Sequence, residues 1–135
     1  GTVAVGSGLV ISYVPQDTAG LAGSLSDFAE KKQIEESLFK AVLRKMGFER
    51  VHFEKQIEDL SAGQKKKVLI AGSLCQRAHL YVWDEPLNYI DIYSRIQIEN
   101  LIKKFSPAMI FVEHDAAFRK AAATKTVEIY TLDNK

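Results

Sequence analysis

The sequence predicts an α/β fold, a mainly parallel sheet with helices on its faces, on three observations. Compact apolar, β-branched runs alternate with segments whose apolar residues recur at helical spacing. The runs are apolar on successive residues, as strands covered on both sides are, instead of alternating with polar ones. Of the 135 residues, 47% are hydrophobic and 26% charged, the balance of an ordinary globular domain, and at this length one core is the natural count.

Leu9-Val10-Ile11-Ser12-Tyr13-Val14 opens the series as a buried strand, stopped by Pro15 and emptying into a loop at Gln16 and Asp17. A turn-rich stretch with Gly20, Gly23 and Ser24 precedes two helical segments. The first is short, near Leu25 to Glu30. In the second, Ile34, Leu38, Ala41, Val42 and Met46 form an apolar stripe that reads as core packing, with Gly47 as its stop signal. Ser61 has the chemistry of an N-cap for a long helix reaching about Arg77. Val68, Leu69, Leu74 and Cys75 make its expected buried side, and Lys65-Lys66-Lys67 its solvated one. Leu80-Tyr81-Val82-Trp83 follows as a compact buried strand anchored by Trp83 and ended by Asp84-Glu85-Pro86. A helix from about Ile92 to Phe105 can turn Ile92, Ile96, Leu101 and Ile102 to the core before Ser106-Pro107 breaks it. Met109-Ile110-Phe111-Val112 makes a third buried strand, Asp115 to about Ala123 a helix, and Val127 to Leu132 a last strand.

The formal net charge of +1 points to neither a polyanion nor an anionic membrane as partner. The longest uncharged stretch, Gly1 to Gln16, is broken by Gly, Ser and Pro, so it reads neither as a membrane span nor as a signal peptide. Cys75 is the single cysteine and lies in an apolar run, which makes it a buried thiol and fits a reducing, cytoplasmic setting. Gly1 is not an initiator methionine, which points to a cleaved tag or a fragment of something longer. His52 and His79 have no context beyond the surface.

Three strands each end in polar residues: Gln16 after the first, Asp84-Glu85 after the second, Glu113-His114 after the third. In an open parallel sheet the carboxyl ends of the strands share one rim, so these side chains should converge. A rim with a glutamine, carboxylates and a histidine suits a magnesium-bound phosphate and an attacking water. Asp can ligate the metal through oxygen, Glu can take a proton from water, and Gln and His can position nucleophile and phosphate.

Leu60-Ser61-Ala62-Gly63-Gln64 resembles the LSGGQ signature of ABC ATPases, with Ala62 in place of the first Gly. Apart from any family, a hydroxyl, small residues and free backbone N–H groups at a helix start make an anion site. Leu80 to Glu85 resembles a Walker B strand with its catalytic glutamate, Tyr13-Val14-Pro15-Gln16 the Q-loop, Ile90-Asp91 the end of the D-loop, and His114 the switch histidine. All five stand in family order. Asp84-Glu85-Pro86-Leu87-Asn88-Tyr89-Ile90-Asp91, together with Val112-Glu113-His114-Asp115, is similar to the second nucleotide-binding domain of antibiotic-resistance ABC-F proteins, which act on ribosomes.

The resemblance implies a partial RecA-like P-loop NTPase core (9–16 and 61–135) interrupted by a helical subdomain from about Asp17 to Leu60. It implies that ATP and Mg²⁺ serve the full-length protein, with Asp84 and Gln16 holding Mg²⁺ through water and Glu85 and His114 as the catalytic pair. Ser61, Gly63 and Gln64 would reach the ATP of a second nucleotide-binding domain of the same full-length chain, and Asp91 would link the two sites.

No GxxxxGK[ST] phosphate loop occurs in the sequence; Gly1 and Gly6 have its glycine spacing, but Ser7-Gly8 follow and a strand comes next, so that segment is a decoy. The expectation is a truncated single domain with no nucleotide held tightly and no hydrolysis of its own. The missing neighbour of the third strand would leave an edge that invites self-association. Two other functions remain open, a membrane-transporter subunit and a nucleotide-free interaction module.

Overall fold

Three parallel strands carry the structure, a computed structural model that describes residues 2 and 4–127. They lie in the order β1 (Ile11–Val14), β2 (Leu80–Asp84), β3 (Met109–Val112), with Val14 beside Trp83 and Trp83 beside Phe111. Parallel neighbours need long crossovers, and helices supply them. Between β1 and β2 run α1 (Leu25–Lys32), α2 (Glu36–Lys45), α3 (Arg50–Phe53), a 3-10 turn (Ile57–Asp59) and α4 (Ala62–Cys75). α5 (Ile92–Phe105) joins β2 to β3, and α6 (Ala116–Ala122) follows β3. The sequence does not foreshadow α3 or the 3-10 turn. The strand expected near Val127 to Leu132 falls, from residue 128 on, outside the described residues.

The helices begin and end where their caps dictate. The Ser24 hydroxyl accepts from Asp27 N and starts α1. Gly47, at φ 91°, closes α2: its N–H donates to Arg44 O and that of Phe48 to Leu43 O, two carbonyls of the last turn. Asp91 and Asp115 cap α5 and α6 through Ser94 N and Phe118 N.

Packing corrects the expected faces. In α2 the buried residues are Phe39, Val42 and Leu43, while Leu38 is 46% exposed. In α5 Ile98, Leu101 and Ile102 are buried, but Ile92 is 75% exposed and Ile96 also faces out. α4 stops at Cys75, and Leu74 and Cys75 are only half-buried; burial still pushes the Cys75 thiol up to about 11, helped by Glu35. The lysine run is not a solvated face, because Lys66 is wholly buried and the Lys67 side chain nearly so.

Among the described residues the strands are covered on one side only, against the expectation of strands buried on both. Ser12, Val14 and Trp83 are buried, and Phe111 meets Phe118 of α6 edge-on at 5.2 Å. Ile11, Tyr13, Ile110 and Val112, on the opposite side of the pleat, are exposed. A buried polar knot ties the covered face to α4: the Trp83 indole N–H donates to Ser73 Oγ at 2.9 Å, Ser73 and Ser12 hydroxyls meet at 2.6 Å, and Ser12 donates to Gln76 Oε1. Both hydroxyls and the indole N–H of the knot have partners, as burial demands. Beneath α4, Phe28 stacks on Phe39, and Gly72 is where a side chain would strike Phe28 Cε1, at 2.7 Å.

Candidate functional site

The parallel register brings the ends of β1, β2 and β3 to one rim, and there Glu85 is the hub. Gln16 Nε2 donates to Glu85 Oε2 at 2.7 Å, Asn88 Nδ2 donates to the same oxygen at 3.1 Å, and His114 Nε2 lies 3.0 Å from Oε1. A carboxylate offers about four acceptor positions. Three are engaged, which leaves one for a water. Glu85 holds φ 45°, a left-handed backbone that costs an L-residue about 1–2 kcal/mol and swings its carboxylate out of the strand direction. Asp84 stands at the tip of β2, level with Val112.

Glu113 holds the two outer loops together. Its Oε2 accepts from Leu87 N at 3.2 Å, and its Oε1 from His114 N at 2.9 Å and Asp115 N at 3.2 Å. Arg95 of α5 reaches both loops, donating to Ile90 O and to Asp115 Oδ2. The caps to Phe118 N and this Arg95 charge hold the Asp115 carboxyl below its usual range, against a smaller effect of burial.

A second group forms at the start of α4. Ser61 Oγ accepts from Gln64 N at 3.2 Å and Gln64 Oε1 accepts from Ser61 N at 3.0 Å, a reciprocal box. The Gln64 side chain is thus folded back onto its own helix, while Ser61 and Ala62 are exposed. Gly63 faces the loop that follows β2: a Cβ there would sit 2.4 Å from the Tyr89 carbonyl oxygen. Lys67 then reaches Asp91 at 2.8 Å, fastening α4 to the cap of α5. Burial raises the Asp91 pKa, but Lys67 and Ser94 outweigh it and hold the carboxyl well below the usual carboxylate range.

Of the residues singled out in the sequence, Gln16, Glu85 and His114 are joined directly, with Asp84 beside them. Ser61, Gly63, Gln64 and Asp91 cluster around the first turn of α4. Sequence reasoning placed Glu113 at the rim without its bonding role, and missed Asn88 and Lys66 as parts of the machinery. Asn88 and Glu113 stand inside the quoted motifs, yet no spacing rule assigns them the Glu85 carboxylate or the loop amides.

A family model described as "ABC transporter" matches residues 7–88. The chain belongs to the ABC transporter family. Elongation factor 3 of Gonapodya prolifera (strain JEL478) is 32% identical over 135 residues, covering 91% of this chain but 12% of that protein. A chain of the "Model of ribosome-bound archaeal Pelota and ABCE1" superposes with TM-score 0.70 at 27% identity, over 84% of this chain and 20% of the other. The "Dimeric structure of a post-hydrolysis state of the ATP-binding cassette MJ0796 bound to ADP and Pi" gives TM-score 0.70 at 19% identity, over 84% of this chain and 56% of the other. The fold is accordingly that of ABC ATPase cassettes with a RecA-like core. The chain spans only a small part of the curated relative's length.

ABC cassettes work with a magnesium nucleotide, and the donor set here fits one. Among the described residues no three His, Cys, Asp or Glu side chains form a metal cage. Mg²⁺ asks for less than a cage: one or two protein oxygens, waters and phosphate oxygens suffice. The Asp84 carboxylate provides a hard oxygen at the rim. Gln16 turns its amide nitrogen to Glu85, so its amide oxygen is the end able to face a cation.

Proposed function

We propose that the chain is part of an ATP-binding and ATP-hydrolysing domain of the ABC-F kind, working in the cytoplasm on the ribosome, in a protein that protects it from antibiotics. The observation that carries the hydrolytic half of the reading is the Gln16–Glu85–His114 network at a single rim. The ABC-F half is supported by Asp84 to Asp91, by Val112 to Asp115, and by the likeness to a chain in a ribosome-bound assembly. Among the described residues no helix is long and apolar enough to cross a membrane.

Asp84 and the Gln16 amide oxygen would hold Mg²⁺ through water, and the ion would supply charge stabilisation for the reacting phosphate. Glu85 accepts a proton from, and orients, the attacking water at its remaining acceptor position. His114 turns from Glu85 Oε1 toward the terminal phosphate. Ser61, Ala62, Gly63 and Gln64 form the face offered to the ATP of a second nucleotide-binding domain, with Asp91 at the seam. We assign residues 9–16 and 61–135 to the core and about 17–60 to the helical subdomain, α1 to α3 lying within the latter.

The deciding experiment is ATP turnover by the full natural polypeptide. Glu85→Gln should slow it by roughly a hundredfold or more while nucleotide binding persists; turnover at the parent rate removes Glu85 from the chemistry. The 135-residue chain alone, which holds no GxxxxGK[ST] loop, should bind neither ATP nor Mg²⁺ tightly and give no turnover above background. Glu85-dependent hydrolysis by it contradicts that. Co-sedimentation of the full polypeptide with ribosomes supports the ABC-F assignment, and co-purification with membranes supports a transporter subunit instead.

A further inference from the structure

Lys66 is the one charged residue wholly buried among the described residues, with 0% of its surface exposed. Its recorded partners are not carboxylates. Nζ donates to Pro15 O at 2.9 Å and to Gln16 O at 3.1 Å. An ammonium taken out of water is expensive to place, and methionine or leucine would fill the same space more cheaply. Its presence therefore asks for a reason.

The reason lies in the two carbonyls. β1 ends at Val14, and the chain leaves the sheet through Pro15, which has no N–H to extend the ladder. Pro15 and Gln16 point their oxygens inward at a place where the sheet offers no donor, and a single three-donor head satisfies both. Once they are held, the Gln16 side chain leaves the backbone where its Nε2 meets Glu85 Oε2 at 2.7 Å. Burial lowers the Lys66 pKa, and Asp84, Glu85, Glu113 and Asp17 oppose that by favouring the charged form. A cation thus lies under the acidic rim, and the helix that carries it begins at Ser61.

We propose that Lys66 is a positioning residue of the site: it pins the Pro15–Gln16 backbone to α4, so that Gln16 stays aligned on Glu85 and the Gln16 loop travels with the Ser61 end of the same helix. The effect on turnover rests on the hydrolytic reading above, whereas the pinning itself rests on geometry alone.

The test uses ¹⁵N NMR relaxation of this chain, with the Gln16 signals assigned through Gln16→Ala. In Lys66→Met the Gln16 backbone amide should fall from a rigid order parameter to below about 0.6, and its side-chain amide should move to the position of a solvated glutamine. The Trp83 indole and the β2 amides should stay rigid in the same sample. Lys66→Gln, which keeps N–H donors but loses the charge and the reach of the lysine, should give an intermediate result, and it decides the matter should Lys66→Met not fold. An unchanged Gln16 in a folded Lys66 variant overturns the proposal. In the full polypeptide, Lys66→Met should lower kcat roughly tenfold, about one charged hydrogen bond's worth. Parent turnover by Glu85→Gln would defeat the hydrolytic reading and leave the relaxation result to judge Lys66 by itself.

Discussion

Gly63 shows how tightly the site constrains single residues. The Tyr89 carbonyl rests where a methyl group would have to be, 2.4 Å from an ideal Cβ, and Tyr89 itself sits at φ 66°, so the two surfaces were shaped against each other. Backbone cannot step aside as a flexible side chain can. Gly63→Ala should therefore lower stability by about 1–3 kcal/mol in urea titration, despite alanine's better helix propensity. An unchanged midpoint would mean that the Tyr89 loop yields freely. At this scale the sequence was readable where chemistry follows from chain position. Gln16, Glu85 and His114 could be placed because strand tips of a parallel sheet share a rim. Lys66 could not, because a lysine buried against carbonyls and one waving in solvent are spelled alike; only the fold tells which of three adjacent lysines points inward.

Among the elements, α5 was bounded well and faced badly. Asp91 and Ser106-Pro107 are local signals, and the helix runs between them as read, Ser106 closing it at φ 43° with its N–H on Ile102 O. Which side faces inward depends on neighbours, and there Ile98 won the core while Ile92 and Ile96 lost it. The same holds for Leu38 against Phe39 and Leu43 in α2. The cap at Asp91 carries a measurable consequence. Asp91→Ala removes the acceptor of Ser94 N and strands the nearly buried Lys67, and should cost about 1 kcal/mol. Because the folded pKa is depressed, that contribution is complete above the unfolded value of about 3.9 and fades as pH falls through the lower folded value. Parent and variant should accordingly converge in stability on acidification below about pH 4. A gap that stays constant into acid would assign the loss to packing.

For the molecule as a whole, the one-sided sheet matters most. Apolar runs with consecutive hydrophobic residues describe strands made to be covered twice, and Ile11, Tyr13, Ile110 and Val112 are bare. Contiguous apolar surface of that kind seeks a cover, and among the described residues β3 adds an open edge beside it. We expect this chain, taken alone, to form dimers or larger species in sedimentation velocity at high concentration, and Ile110→Lys to shift them toward monomer. A parent that stays monomeric throughout refutes the expectation. The layered architecture was legible from alternating runs and helices; the bare face was not, because hydrophobic patterning marks apolar strands and is silent on which of their faces is covered.

Trp83 is the chain's single tryptophan, and its indole is locked by Ser73 two positions before Glu85. Its fluorescence therefore comes from one defined environment at the foot of the rim. Loosening of β2, of α4, or of the hydroxyl pair between them will alter the colour and yield of that emission, so the protein can be followed optically without attaching a dye.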